Sequence, residues 1–178
     1  MLPHDFPPRQ TVYWWFRHFV RRLLFQTIHD IALMLDRERA GREASPSGVV
    51  LDSQSVKAPA AERRGFDAAK KIVGRKRHVA VDTDGRLLMI NLTPADGADD
   101  RAKLLDKAAF RDFTVEIVRW LDAEPGFKLL PQRWVVEQTF GWMIRYRRLV
   151  PDYDRCIDIS QAMIHVALGS MLLRRLYV

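Results

Sequence analysis

The sequence predicts an α/β fold in which a mixed sheet is flanked by helices and preceded by a helical segment. Apolar residues recur at three- and four-residue spacing near both ends of the chain, which is the period of amphipathic helices. Short apolar runs occupy the middle, and two of them flank Asp84-Gly85, a strong signal for a hairpin. At 178 residues and 48% hydrophobic content, the chain suffices for one domain with a sizeable core.

The first 44 residues are predicted to form a helical segment that precedes the main domain, residues 45–178. Three prolines within the first eight residues disfavour an earlier helix start, so a helix begins near Gln10 or Thr11. The apolar pattern then continues to about Gly41 as one long helix or two short ones.

An aromatic cluster in this segment, Trp14, Trp15 and Phe16, is followed by arginines at positions 17, 21 and 22. It has two interpretations. Stacked aromatics beside cations form platforms for unpaired bases. Aromatic stripes at helical spacing are more often buried, and we therefore expect the cluster to belong to the core.

The central region of the chain is predicted to form strands. After the Ser45 to Gly48 linker, Val49 to Leu51 form a short buried strand that ends at Asp52. Asp84-Gly85 predicts a primed two-residue turn between strands near Arg77–Thr83 and Arg86–Thr93. Further on we expect a helix over 99–110, a strand over 113–118 and a loop near residue 125.

A helix from Gln132 to Leu149 places one acid among arginines. At 3.6 residues per turn, one face carries Arg133, Glu137, Gly141 and Arg148, with Arg145 at its margin, while Val135, Trp142, Tyr146 and Leu149 face the core. From geometry alone, Arg133 and Glu137 form an exposed pair worth tenths of a kcal/mol.

The C-terminal residues predict a last helix, capped by Asp158 or Ser160. Its packing face comprises Ala162, Met163, Val166, Ala167, Ser170, Met171 and Leu172. His165 is expected on its surface, because no second His or Cys lies at ligand spacing.

The net charge of +7 favours a polyanionic partner, with nucleic acid as the first candidate. Seven cations fall between residues 62 and 78: Arg63, Arg64, Lys70, Lys71, Arg75, Lys76 and Arg77. A loop this basic suits phosphate contacts, and it also suits a solvated, mobile loop. The single Cys156 excludes an internal disulfide and indicates a reducing cytosol. No apolar run is long enough to cross a bilayer, so no membrane partner is expected.

Five segments resemble bacterial insertion-sequence DDE transposases: LPHDFPPRQTVYWWFRHF, LDSQSVKA, GRKRHVAVDTDGRLL, ADGADDR, and Arg133 with Glu137 before FGWMIRYRRL. The resemblance implies a ribonuclease-H-like fold. It also implies that Asp52, Asp96 and Glu137 are catalytic metal ligands that hold two Mg²⁺ ions about 3.5–4 Å apart. The cations already named, with Arg133, Arg145 and Arg148, would contact phosphates.

The ADGADDR motif follows directly on the third expected strand, at Thr93-Pro94. In the family, a crossover helix and a fourth strand precede this motif, so on the order of 30 residues are missing near 94–98. We therefore expect an incomplete sheet and a defective copy, although Asp52 and Glu137 should still bring their carboxyl carbons within roughly 8 Å.

Three functions remain open at this point. The first is a transposase that cleaves and joins DNA with Mg²⁺, and the second is a non-catalytic remnant that still binds DNA. The third is a basic domain that binds RNA. It has the least support, because the sequence contains no strand motif whose side chains stack on RNA bases. The expected partners are transposon ends, target DNA and a second copy of the chain, in the cytoplasm with the nucleoid.

Overall fold

The computed structural model describes residue 3, residues 5–96 and residues 133–177. Helices α1 (Arg9–Arg21) and α2 (Leu24–Arg39) precede four strands: β1 (Val50–Lys57), β2 (Gly65–Asp67), β3 (Ile72–Val81) and β4 (Leu87–Pro94). Helix α3 (Arg133–Ile144), a 3₁₀ turn (Arg147–Leu149) and helix α4 (Ile157–Leu176) follow. The α/β prediction is confirmed. The helix expected at 99–110, the strand at 113–118 and the loop near 125 lie outside the described residues.

Strand β3 is the centre of a four-stranded antiparallel sheet. It pairs with β1 from Val50 opposite Val81 to Lys57 opposite Gly74, and with β4 from Arg75 opposite Pro94 to Val81 opposite Leu87. Because β1 and β4 pair with the same residues of β3, they lie on its two sides. Strand β2 pairs with the first three residues of β3. The outer edge of β1 has no strand partner among residues 5–96 and 133–177.

Two predicted strands are longer in the structure. Strand β1 continues past Asp52 to Lys57, so Asp52 is its third residue, opposite Val79, and not its last. The expected basic loop is a hairpin, because β2 and the start of β3 lie within it. The prediction stopped too early because four of residues 53–57 are polar, whereas backbone pairing with β3 needs no apolar side chains.

The hairpin between β3 and β4 is confirmed, but its turn has another geometry. The Asp82 N–H donates to the Arg86 carbonyl at 3.0 Å, and the Gly85 N–H donates to the Asp82 carbonyl at 3.0 Å. Gly85 has φ +81°, whereas neither Thr83 nor Asp84 has a positive φ. This is a three-residue loop with glycine in the left-handed region, since a primed turn would need a positive φ one position earlier.

Each face of the sheet packs against helices. One face, with Val50, Val79 and Ile90, meets Val136 and Phe140 of α3 and the apolar residues of α4. The other face meets Ala32 and Leu33 of α2, together with Leu172 near the end of α4. Helix α4 therefore contributes to both cores. None of the described helices combines the length and apolar character that a bilayer span requires.

Charged residues decide which face of α2 points inward. Asp36 accepts from Arg86 Nε at 2.6 Å, and Arg37 pairs with the buried Asp82 of the β3–β4 hairpin. Ile28, Ile31 and Leu35 are exposed, although they belong to the apolar pattern from which the helix was predicted. The four charged groups pair with each other, which lowers the cost of burying them.

Helix α3 is shorter than predicted, because it ends at Ile144 and a 3₁₀ turn follows. Arg145 and Arg148 are therefore not on the helix face of Glu137. Its buried side is also rotated from the predicted one: Val135, Val136, Thr139, Phe140 and Met143 are buried, and Trp142 is half-buried. The Thr139 hydroxyl fixes this rotation by donating to the Gly85 carbonyl at 2.6 Å.

Helix α4 departs from two expectations. It begins at Ile157 after Cys156, so neither Asp158 nor Ser160 is its N-cap. Ser160 is inside the first turn, where its hydroxyl donates to Asp152 at 2.8 Å. His165 is buried, and its ring centroid lies 5.0 Å from that of His29 on α2. The surface prediction for His165 was wrong because sequence spacing does not show a partner on another helix.

A buried ion pair joins the sheet to the start of α4. Arg75 of β3 donates to Asp152 at 2.8 Å and to the carbonyls of Asp154 and Arg155 at 2.9 and 2.6 Å. Both charged side chains are almost fully buried. Removing one partner of such a pair leaves an uncompensated buried charge.

We expect Asp152→Asn to lower the free energy of unfolding by about 3–5 kcal/mol, because the Arg75 guanidinium keeps its charge and loses its carboxylate. Urea denaturation followed by circular dichroism measures this. The control is Asp158→Asn, which removes an exposed carboxylate 3.7 Å from Arg17 and should cost less than about 1 kcal/mol. Equal losses in the two variants would contradict the role of the buried pair.

Candidate nucleic-acid interface

Four of the predicted phosphate contacts are exposed on one hairpin. Arg63 and Arg64 directly precede β2, and Lys70 and Lys71 lie in the turn between β2 and β3. The Arg64 guanidinium donates to the Pro59 carbonyl at 2.8 Å, which orients it. We call these four residues the hairpin cations.

An acid in the same hairpin is tied to the protein. Asp67 accepts from the Ser55 hydroxyl and from the Lys70 N–H, the latter at 3.0 Å. Two hydrogen bonds lower the pKa of Asp67 below its ordinary value: the Ser55 hydroxyl has the larger effect and the Lys70 N–H the smaller. Asp67 therefore carries its charge at neutral pH and holds the hairpin turn against β1.

Two arginines of the basic segment point into the protein instead. Arg75 and Arg77 have no exposed surface. Arg77 donates to the Leu149 carbonyl at 2.8 Å, and burial lowers its pKa while Asp152 opposes that shift. Lys76, between them, is half-buried. The structure brings Arg75 and Arg77 together with residues 149–155, which leaves phosphate contact to the exposed cations.

The cations predicted at the C-terminal helix have separate locations. Arg145 is exposed just after α3. Arg148 is exposed in the 3₁₀ turn, where it donates to Asp154 at 2.9 Å. Arg133 begins α3, and its side chain lies outside the described part of the structure.

Asp52 and Glu137 belong to elements that pack together. Asp52 is half-buried on β1, on the same strand face as Val50, because alternate residues share a face. Its Oδ1 accepts from the Ser53 N–H at 2.7 Å. Helix α3 covers that face with Val135 and Val136, and Glu137 is exposed on the helix. The expected approach of the two carboxyl groups stays a prediction.

Asp96 lies beyond the end of β4. Its carboxylate occupies the space beside Gly65, where a Cβ would collide with it. Asp52 is level with Val79, whereas β4 ends level with Arg75 on the opposite side of β3. The end of β4 is thus about 13 Å along the strands and about 10 Å across them from Asp52.

The acids as described do not fit a two-magnesium site. Within residues 5–96 and 133–177, no three His, Cys, Asp or Glu side chains lie close enough together to hold an ion. Asp52, Asp96 and Glu137 are all described and so do not form such a group. Their assignment as catalytic metal ligands remains a prediction.

Sequence reasoning missed an exposed aromatic surface on α1. Trp14 and Trp15, expected in the core, are 59% and 47% exposed. One signal was present: residues 13 to 16 are all aromatic, and four consecutive residues cover about 300° of a helix. No single packing face is that wide, so some of these rings must face solvent.

Part of the chain matches a known protein family. Residues 43–111 match the family model described as the transposase DDE domain. The match begins ahead of β1, includes all four strands, Asp52 and Asp96, and ends before α3 and Glu137. No curated protein and no solved structure matches the chain.

The tie between Asp67 and Ser55 predicts a pH dependence of stability. A pKa lowered by folding stabilises the protein above the unfolded value of about 3.9, and this contribution disappears as the pH falls through the folded pKa. We therefore expect Asp67→Asn to lose less stability than the wild type on acidification below about pH 4. Urea denaturation at a series of pH values measures it.

Ser55→Ala provides a second test, because it keeps the carboxylate and removes its hydroxyl donor. In Ser55→Ala, the free energy of unfolding should therefore change less with pH below about pH 4 than in the wild type. A wild-type profile in Ser55→Ala would show that the hydroxyl does not set the pKa of Asp67.

Proposed function

We propose that this protein acts in DNA transposition and binds duplex DNA through the hairpin cations. The observation that carries the proposal is that these cations are exposed within the segment that matches the transposase DDE domain. They reach solvent while their neighbours Arg75 and Arg77 are buried in the protein. The hairpin therefore separates cations that stabilise the fold from cations available to a polyanion.

Binding through such cations has a characteristic salt dependence. Each neutralised phosphate releases counterions, so four contacts give a slope of about −3.6 in a plot of log K against log salt concentration. Phosphate contacts carry little sequence information. The expected activity is weak binding to duplex DNA of any sequence. Arg145, near the C-terminal end of α3, adds a further exposed cation.

For catalysis we propose a ribonuclease-H-like arrangement that is incomplete in this copy. Asp52 and Glu137 keep the places of the first and third acids, on a strand and a helix that pack together. The register of the sheet supports a defect at the second acid, because Asp96 follows the strand on the far side of β3 from Asp52. The chain then acts as a DNA-binding remnant of a transposase. The alternative, an active enzyme, requires the 93–98 segment to fold back across the sheet.

Replacing all four hairpin cations tests the DNA-binding proposal. We expect Arg63, Arg64, Lys70 and Lys71→Gln to weaken duplex binding and to reduce the salt slope by about 3.6, as measured by fluorescence anisotropy at 50 to 200 mM salt. The control replaces four exposed cations elsewhere, so the net charge changes equally: Arg22, Arg39, Arg42 and Arg174.

The two quadruple variants must differ if the hairpin is the binding site. Equal losses would mean that net charge, and not this surface, drives binding. An unchanged slope in the hairpin variant would place the duplex elsewhere on the protein.

A strand-transfer assay separates the remnant from an active enzyme. With Mg²⁺ and the DNA ends that flank its gene, we expect no product above the level of Glu137→Gln, because Asp96 lies too far from Asp52 to share an ion with it. Circular dichroism on the same sample shows that the protein is folded, and duplex binding shows that it still binds DNA. Product formation that Asp96→Asn abolishes would prove the site complete.

A further inference from the structure

The exposed surface of α1 combines aromatic rings with cations. Its residues follow one side of the helix and line a shallow groove of about 460 Å³: Arg9, Tyr13, Trp14, Arg17, His18 and Arg21. We call them the α1 stripe. The stripe lies outside the segment that matches the transposase DDE domain and shares no residue with the hairpin cations.

The attachment of α1 explains why this side faces solvent. Within α1, whose residues are all described, Val20 is the one buried side chain. Phe16 and Phe19 rest on Phe25 of α2, with ring centroids 5.6 and 6.2 Å apart. Trp14 lies on the opposite side of the helix from these two rings, and both Trp14 and Tyr13 are more than half exposed.

The Trp14 ring is held in a fixed orientation although it is exposed. It stacks on His18, with centroids 5.4 Å apart and planes within 10°, and it meets Trp15 edge to face at 4.8 Å. A ring already held by its neighbours loses little freedom when a ligand stacks on it. Trp14 is thus organised as a stacking surface.

The charged side chains of helix α1 itself are all positive. Helix α1 contains no acid, and its cations include Arg9, Arg17 and Arg21. Residues four apart on a helix are separated by about 6 Å along its axis, so guanidinium groups and rings alternate along the stripe. Arg17 lies 3.7 Å from the carboxylate of Asp158, and both side chains are partly exposed.

We propose that the α1 stripe binds single-stranded DNA, with bases stacked on Tyr13 and Trp14 and phosphates held by the arginines. Aromatic rings beside cations bind single strands because every unpaired base offers a face for stacking, whereas the bases of a duplex already stack on each other. A second copy of the chain fits less well, since a two-fold interface would set one positive stripe against another. The choice of DNA over RNA rests on the proposed function.

Trp14→Ala tests the proposal against a matched control. Trp134 on α3 is as exposed as Trp14, at 59%, and belongs to neither proposed surface. With labelled oligothymidine and fluorescence anisotropy, Trp14→Ala should raise Kd about tenfold or more, and Trp134→Ala should not. Trp14→Tyr should restore most of the affinity. Arg9→Gln with Arg21→Gln should reduce the salt slope by about 1.4.

Duplex DNA distinguishes this inference from the proposed function. Trp14→Ala should leave duplex binding unchanged. The variant that lacks the four hairpin cations should lose duplex binding, and Trp14→Ala should still weaken oligothymidine binding when it is added to that variant. Equal effects of Trp14→Ala and Trp134→Ala would overturn the stripe as a single-strand site. Tighter binding of oligouridine than of oligothymidine would overturn the choice of DNA. A dimer that Trp14→Ala dissociates, without any effect on oligothymidine, would assign the stripe to a second copy.

Discussion

The pairing of Arg75 with Asp152 is the constraint on which the described structure depends. A carboxylate stabilises an arginine that is buried in a central strand, because an unpaired buried charge is very costly. Here Asp152 meets it, with the carbonyls of Asp154 and Arg155. Ser160 donates to the same carboxylate and so fixes the first turn of α4. One ion pair thereby joins β3 to a helix that begins more than 75 residues later.

A second cluster of charged residues lies on the other side of the sheet, where α2 packs against the β3–β4 hairpin. Arg37 and Asp36 of α2 meet Asp82 and Arg86 of the β3–β4 hairpin. Burial alone would lower the pKa of Arg86, but hydrogen bonds to Asp36 and Asp84 outweigh it and raise the pKa. With these arginines and Arg75 paired inside the protein, the exposed cations of the hairpin and of α1 are among those that a polyanion can reach. The proposed functions follow from this division.

Only part of the candidate site could be predicted from the sequence. Asp52 and Glu137 were assigned from separate motifs, and the structure packs β1 against α3, the elements that carry them. Whether their carboxyl groups converge depends on side-chain positions that no motif specifies. Asp96 differs, because its position follows from strand order: it comes directly after β4, which lies on the other side of β3 from Asp52.

Local patterns in the sequence determined the α/β class, the β3–β4 hairpin, the helical character of the N-terminal segment and the presence of α3 and α4, since periodicity and glycine chemistry act over a few residues. The tertiary structure alone decided which cations are buried. Arg75 and Lys76 are neighbours in an equally basic segment, yet the first is internal because Asp152 comes from a distant part of the chain. It also decided that Trp14 faces solvent while His165 is buried beside His29. Burial depends on which surfaces meet, and residues far apart in sequence supply those surfaces.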